Sequence, residues 1–206
     1  MTADGRRGTW RRVAVRFPAV TVAGGRWIFG YGSLVSPVSF GVTLGRALTV
    51  GDDFHYAVLD GYGRRWNYGV GHATGWFDGT EYRIVALGIA ASPTETTNGV
   101  IGWVTDAELA YLDRREIGYD RVDVTDLIDA PVTLGAPVET YLPKPESVAR
   151  SERWRDDGVG AVEQRYWDLV AGAFAGFGVA ERRRYLDSTP APDVPVLELS
   201  RDDPYK

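Results

Sequence analysis

The sequence predicts an α+β fold in which a mostly antiparallel sheet or small barrel is followed by helices. Between residues 54 and 104, short apolar runs alternate with the turn dipeptides Asp60-Gly61, Asp78-Gly79 and Asn98-Gly99, as closely spaced strands and hairpins would. From Thr105 onward the signals change to helix caps and helical periodicity. Strands and helices do not alternate as repeated βαβ units would require, so a doubly wound parallel sheet is disfavoured.

Composition narrows the function classes. The 206 residues suit one compact domain, or one domain plus a tail. At 44% hydrophobic and 25% charged the chain has ordinary globular composition. The net charge of −5 gives no electrostatic footprint for nucleic acid, and Arg6-Arg7, Arg11-Arg12 and Arg182-Arg183-Arg184 are short enough to be solvated faces. No apolar run approaches the roughly 20 residues that span a bilayer. The N-terminus lacks the apolar core and cleavage site of a signal peptide, so a cytoplasmic location is expected. The absence of cysteine removes thiol nucleophiles, disulfides and thiolate metal sites, and two histidines are few for a zinc enzyme. A mononuclear metal enzyme is therefore not expected. Seven Trp and eleven Tyr are a heavy aromatic load, suited to cores and to small-molecule pockets.

The elements follow in order. Residues 1–12 are polar and Arg/Gly-rich, a loose leader. A single domain is expected over 13–189, opening with a possible edge strand, Val13 to Phe17. Trp27-Ile28-Phe29-Gly30-Tyr31 is a short aromatic and β-branched run between glycines, a buried strand. Ser36-Pro37 has the pattern of an N-cap followed by proline at the first helical position. Strands are expected at Phe54 to Leu59, Tyr82 to Ile89 and Val100 to Val104. Thr105 and Glu108 form a capping box opening a helix with Leu109 and Leu112, for which Gly118 is a stop. Tyr119 to Val124 and Val138 to Leu142 read as further strands, and residues 143–160 as an insertion-like polar run. Val162, Tyr166, Leu169, Val170, Ala173, Phe174 and Phe177 fall at helical spacing, ending at Gly178. Residues 190–206, with four prolines and several acids, read as an extended or disordered tail.

Two segments could carry chemistry. In Phe29-Gly30-Tyr31-Gly32-Ser33-Leu34, two glycines flank a tyrosine directly after a strand, so the backbone can turn tightly and approach a ligand. Successive N–H groups in such a turn can hold a carboxylate or an oxyanion, although an ordinary strand-to-loop turn would look the same. It is neither a phosphate-binding loop ending in Lys-Ser/Thr nor a three-glycine dinucleotide fingerprint. In Leu112-Asp113-Arg114-Arg115-Glu116-Ile117-Gly118-Tyr119, a helix running to Glu116 would place its carboxylate on the face of Leu109 and Leu112, in the last turn. Burial and the helix dipole would both raise its pKa, as suits a group that moves one proton near neutrality. A surface glutamate paired with Arg114, Arg115 or Arg121 is the plainer alternative.

Together, the early Tyr-Gly-Ser-Leu turn, the central Leu-Asp-x-Arg-Glu-x-Gly-Tyr segment and a late helix bearing a tyrosine resemble the γ-glutamyl cyclotransferase superfamily, with its ChaC-like and AIG2-like branches. The resemblance covers roughly residues 26 to 186. It implies a small, mixed, mainly antiparallel β-barrel with flanking helices and a cavity at its mouth. It also implies that Tyr31, Gly32, Ser33 and Leu34 hold a γ-glutamyl group, that Glu116 is the acid/base, and that Tyr119 and Tyr166 line the pocket. Asp60 to Asn67 is similar to the family's Gly-Tyr-x-Arg strand, and Arg65 and Trp66 are expected in structure or the pocket wall. The implied activity needs no cofactor, metal, nucleic acid or membrane: a small-molecule γ-glutamyl substrate closes on itself to 5-oxoproline. The alternative is a non-catalytic ligand-binding or interaction protein retaining the fold. The segment after residue 140 departs from the ChaC-like pattern and leaves glutathione specificity open.

Overall fold

A computed structural model describes residues 24–201; the leader, the strand expected at 13–17 and the last five residues lie outside the described part. The chain begins with β1 (Gly25–Gly30), a 3-10 turn (Ser33–Val35) and α1 (Pro37–Leu44). A long hairpin follows, β2 (Phe54–Phe77) and β3 (Thr80–Thr105), leading into α2 (Asp106–Arg115). Then come β4 (Tyr119–Asp123), β5 (Ile128–Asp129), β6 (Val138–Pro143), α3 (Pro145–Asp156) and β7 (Gly160–Glu163). Helices α4 (Gln164–Gly176) and α5 (Val179–Ser188) and a short β8 (Val196–Leu197) complete it. None of the described helices is long and apolar enough to cross a membrane.

The sheet is mixed and mainly antiparallel. Its ladders run in the order β4-β6-β1-β3-β2-β5, with β7 on β3 and β8 on β7. Only β1–β6, β3–β7 and β7–β8 are parallel. Among the described residues no ladder joins edges β4 and β5, so hydrogen bonds alone do not close the barrel.

The strands are fewer and longer than the turn dipeptides suggest. Only Asp78-Gly79 is a hairpin turn: φ is 49° and 74°, the paired positive values of a type I′ turn, and Phe77 faces Thr80 across it. Asp60-Gly61 is instead a bulge within β2, where the register with β3 shifts and Gly61 takes φ 78°. Asn98-Gly99 lies in mid-ladder opposite Val58 and Ala57. Glycine is needed at 99 for space, because a Cβ there would come within 2.4 Å of the Gly30 carbonyl.

Helix boundaries follow local chemistry. Ser36 caps α1, its hydroxyl accepting from the Ser39 N–H at 3.3 Å. The capping box at Thr105 and Glu108 is complete, with the Glu108 carboxylate accepting from the Thr105 N–H at 2.9 Å. The helix it opens ends at Arg115, with Glu116 as C-cap, three residues before the expected stop at Gly118. Gly118 is required for another reason: a Cβ there would meet the Tyr68 hydroxyl at 2.4 Å. Residues 145–156 form α3, which packs on β2 through Trp154 and through Arg150, whose Nε donates to the Gly69 carbonyl at 2.9 Å. Val162 belongs to β7, not to the late helix, because it pairs with Val196. The tail is extended and tied down as far as residue 201. Val194 is buried, Ser200 bridges Trp76, and the Pro190 carbonyl accepts from the Trp66 indole at 2.9 Å.

Hydrophobic side chains fill both faces of the sheet. In β1, Trp27 and Phe29 join one cluster with Leu59, Ile89, Ile101 and Trp103, while Ile28 joins another with Val35, Phe40, Phe54 and Leu112. A strand buried on both faces reads as an unbroken apolar run, as Trp27 to Phe29 does. Phe40 anchors α1 to the second cluster, fully buried and edge-on to Phe54 with centroids 6.2 Å apart. Phe40→Ala is expected to lower stability by about 3–5 kcal/mol, the cost of an uncollapsed aromatic cavity, measured by urea unfolding of the full chain.

Candidate active site

The chain turns sharply where β1 ends. A Cβ on Gly30 would lie 2.7 Å from the Leu34 Cβ, and one on Gly32 would lie 2.8 Å from the Tyr166 hydroxyl. Both glycines are therefore demanded by close approach, the first by the turn itself and the second by α4. Between them the Tyr31 side chain is buried, and its hydroxyl donates to the Tyr141 carbonyl at 2.6 Å.

The turn forms one wall of a recess of about 320 Å3, open solvent at its mouth included. Tyr31, Gly32, Ser33 and Leu34 line it together with Glu116, Tyr119 and Tyr166, so the residues singled out in three distant segments meet at one place. Phe29, Gly30, Leu87 and Tyr141 complete the lining. Tyr119 and Tyr166 both hold the backbone of Leu87: the Tyr119 hydroxyl donates to its carbonyl at 3.2 Å, and the Tyr166 oxygen accepts from its N–H at 3.3 Å. Tyr119 also stacks on Tyr68, centroids 4.0 Å apart. Burial pushes the phenols of Tyr31, Tyr119 and Tyr166 above their ordinary values, so at neutral pH they act as neutral hydroxyls.

Glu116 reaches this recess from just beyond the end of α2. Its side chain is 14% exposed, and burial raises its carboxyl above the ordinary carboxylate value. Arg115, whose Nε is 3.2 Å from Glu116 Oε1, opposes that shift. The helix therefore places the carboxylate by ending, with Glu116 at φ −94° and ψ 31°, and not by extending its Leu109–Leu112 face. Arg121, an alternative partner, is engaged elsewhere, with Asp113 at 3.2 Å and with Glu139. Asp113 in turn accepts from the Tyr141 hydroxyl at 2.8 Å, holding β6 against α2.

Arg115 is not only a partner for Glu116 but also spans to the turn. Its guanidinium donates to Ser33 Oγ at 2.8 Å and to the Ser39 carbonyl at 3.2 Å. One cation thus ties the turn, α1 and the carboxylate together. Arg65 and Trp66 stand outside the lining. Arg65 pairs with Glu95 near the surface, and Trp66 backs Tyr166, edge-on at 6.3 Å. The sequence does not single out Tyr141 or Leu87, because a strand's periodicity does not say which inward residue lies beside a distant turn.

No protein-family model and no curated protein matches the chain. Among solved structures, YkqA from Bacillus subtilis superposes with a TM-score of 0.51 at 18% identity, over 81% of this chain and 55% of that one. The likeness is one of fold. The α+β architecture expected from the sequence is thus shared with a solved protein of roughly twice the matched length. A gamma-glutamyl cyclotransferase is similar over 81% of this chain and 89% of that one, with TM-score 0.48 and 13% identity. A yeast gamma-glutamyl cyclotransferase specific to glutathione is similar over 82% and 89%, with TM-score 0.47 and 14% identity.

A raised carboxyl pKa in the folded state means that burying the Glu116 charge costs stability. The cost is absent below the unfolded pKa, grows as pH rises through the folded pKa, and is constant above it. Glu116→Gln is therefore expected to raise the thermal midpoint at pH 7 and to have little effect near pH 3.5, measured by differential scanning calorimetry at both values.

Proposed function

We propose that this protein is a γ-glutamyl cyclotransferase that releases 5-oxoproline and an amine or amino acid from a γ-glutamyl substrate. The observation that carries this reading is the convergence of Glu116 with the Tyr31-Gly32-Ser33-Leu34 turn in one tyrosine-lined recess. A carboxylate with a raised pKa beside a turn rich in N–H groups is suited to moving a proton next to a bound carboxylate or a developing oxyanion.

In this mechanism the turn holds the glutamyl end, and the uncharged phenols of Tyr119 and Tyr166 wall the ring that forms. The substrate's α-amine, as the free base, attacks its own γ-carbonyl carbon. Glu116 takes the proton that the ring nitrogen sheds, and the carbonyl oxygen carries negative charge toward the turn's N–H groups. As the C–N bond to the leaving group breaks, Glu116 returns that proton to the departing nitrogen. The five-membered lactam and a free amine result, with the carboxylate regenerated. Nucleophile and electrophile belong to one molecule, so positioning supplies much of the acceleration. Arg115 keeps the carboxylate aimed and opposes the effect of burial, favouring its ionised form.

Mass spectrometry of the protein incubated with glutathione, γ-glutamyl amino acids and γ-glutamyl amines is expected to find 5-oxoproline from at least one. Glu116→Gln should reduce that turnover by about 10²–10⁴-fold, the usual contribution of a positioned acid/base. A variant as active as wild type removes Glu116 from the chemistry.

The pH profile provides a separate check. kcat/KM is expected to fall on acidification with a midpoint above the ordinary carboxylate range, because only the ionised carboxylate accepts the proton. In Arg115→Met that midpoint should move to higher pH, since the neighbouring cation that favours ionisation is gone.

A further inference from the structure

Arg64 is the most deeply buried charged residue of the described chain, with no exposed surface. No carboxylate among the described residues pairs with it. Its Nε donates to the Tyr31 carbonyl at 3.0 Å, and its Nη1 to Asn98 Oδ1 at 2.9 Å, Ser188 Oγ at 3.3 Å and Thr189 Oγ1 at 3.5 Å. Its Nη2 donates to the Asn98 carbonyl. The guanidinium also lies over the rings of Phe174 and Tyr185, at 4.9 and 5.1 Å from their centroids. Every one of these partners is neutral, so the hydrogen bonds are satisfied while the positive charge is not cancelled.

A buried charge without a counter-ion is expensive, and a hydrophobic residue of similar volume would fill the space more cheaply. Two features of the site make use of it. The Tyr31–Gly32 peptide is trans, so fixing its carbonyl toward Arg64 sends the Gly32 N–H the opposite way. Gly32 lines the recess, and no acceptor among the described residues meets its N–H. The charge itself lies directly behind the turn, in a dry environment where its field is weakly screened. Burial lowers the guanidinium pKa to about 10, which leaves it protonated at neutral pH.

We propose that Arg64 is a positioning residue, which sets the Tyr31–Gly32 peptide and supplies from behind the turn the positive potential that favours a carboxylate-bearing ligand in the recess. This rests on the cyclotransferase reading, in which the ligand is a glutamyl group. It adds a residue that never touches the substrate. The role is separable from packing, because the charge can be neutralised without removing the guanidinium. Asn98→Asp sets a carboxylate where Oδ1 already accepts from Arg64, at the loss of one bond from Asn98 Nδ2 to the Glu181 carbonyl.

The test compares two probes by calorimetry and by amide shifts of the full chain: 5-oxoproline and 2-pyrrolidinone, the same ring without its carboxylate. Wild type is expected to prefer 5-oxoproline, and Asn98→Asp to lose about tenfold of that preference while keeping its thermal midpoint and its affinity for pyrrolidinone. Arg64→Lys, which retains charge but not the fork, should keep part of the preference. Arg64→Gln should lose it, and serves in place of Asn98→Asp if that variant does not fold. An undiminished preference in a folded charge-neutralised variant overturns the proposal, as does a wild type that binds both probes alike or neither. Turnover distinguishes this from the functional reading. Wild-type release of 5-oxoproline with a charge-independent preference removes the role of Arg64 alone, whereas a charge-dependent preference with no γ-glutamyl turnover keeps that role and removes the cyclotransferase assignment.

Discussion

Strand β1 is held on both edges and both faces, and the candidate site is built outward from its end. It pairs antiparallel with β3 and parallel with β6, while its side chains feed two hydrophobic clusters. A strand so enclosed cannot slip by one residue, because that would turn Ile28 and its neighbours to the wrong faces. The position where β1 stops is consequently rigid, and the turn at Tyr31-Gly32 begins from a fixed point. Its strand neighbours then deliver the other walls, with Leu87 on β3, Tyr141 on β6, and Tyr119 on β4, which pairs with β6.

This arrangement places a carboxylate beside a glycine-flanked turn in one recess. Helix α2 ends at the recess instead of crossing it, so Glu116 has a fixed backbone and a nearly buried side chain. The surrounding phenols hold backbone atoms, Tyr31 the carbonyl of Tyr141 and Tyr119 and Tyr166 the backbone of Leu87, and so orient walls more than they offer protons. Arg115 and Arg64 both hold the turn, the first at Ser33 and Glu116, the second at the Tyr31 carbonyl. The electrostatics are asymmetric: Arg115 is partly solvated and acts mainly on one carboxylate, whereas Arg64 is wholly enclosed among neutral partners.

Part of the site was legible locally. Tyr31-Gly32-Ser33-Leu34 stands out as a glycine-flanked turn and Glu116 as a carboxylate near a helix end, whereas Tyr119 and Tyr166 stand out only through the family resemblance; all of them line the recess. The strand count was less legible. Asp60-Gly61 and Asn98-Gly99 have the composition of turns, yet they are a bulge and a mid-ladder pair, since glycine serves close approach as readily as reversal. Gly118 misled in the same way: it yields space to Tyr68 and does not end the helix.

The sequence by itself determined the local grammar: the caps at Ser36 and Thr105, the buried strand at Trp27 to Phe29, and which short segments could carry chemistry. These depend on neighbours within a few residues, whose preferences are written in order along the chain. Only the tertiary structure decided that the turn and Glu116 share one recess, that Arg121 turns away to Asp113 and Glu139, and that Arg64 is enclosed against the Tyr31 carbonyl with no counter-ion among the described residues. Those outcomes depend on which distant side chains the sheet ladders bring into register, and no local pattern encodes the partner across such a distance.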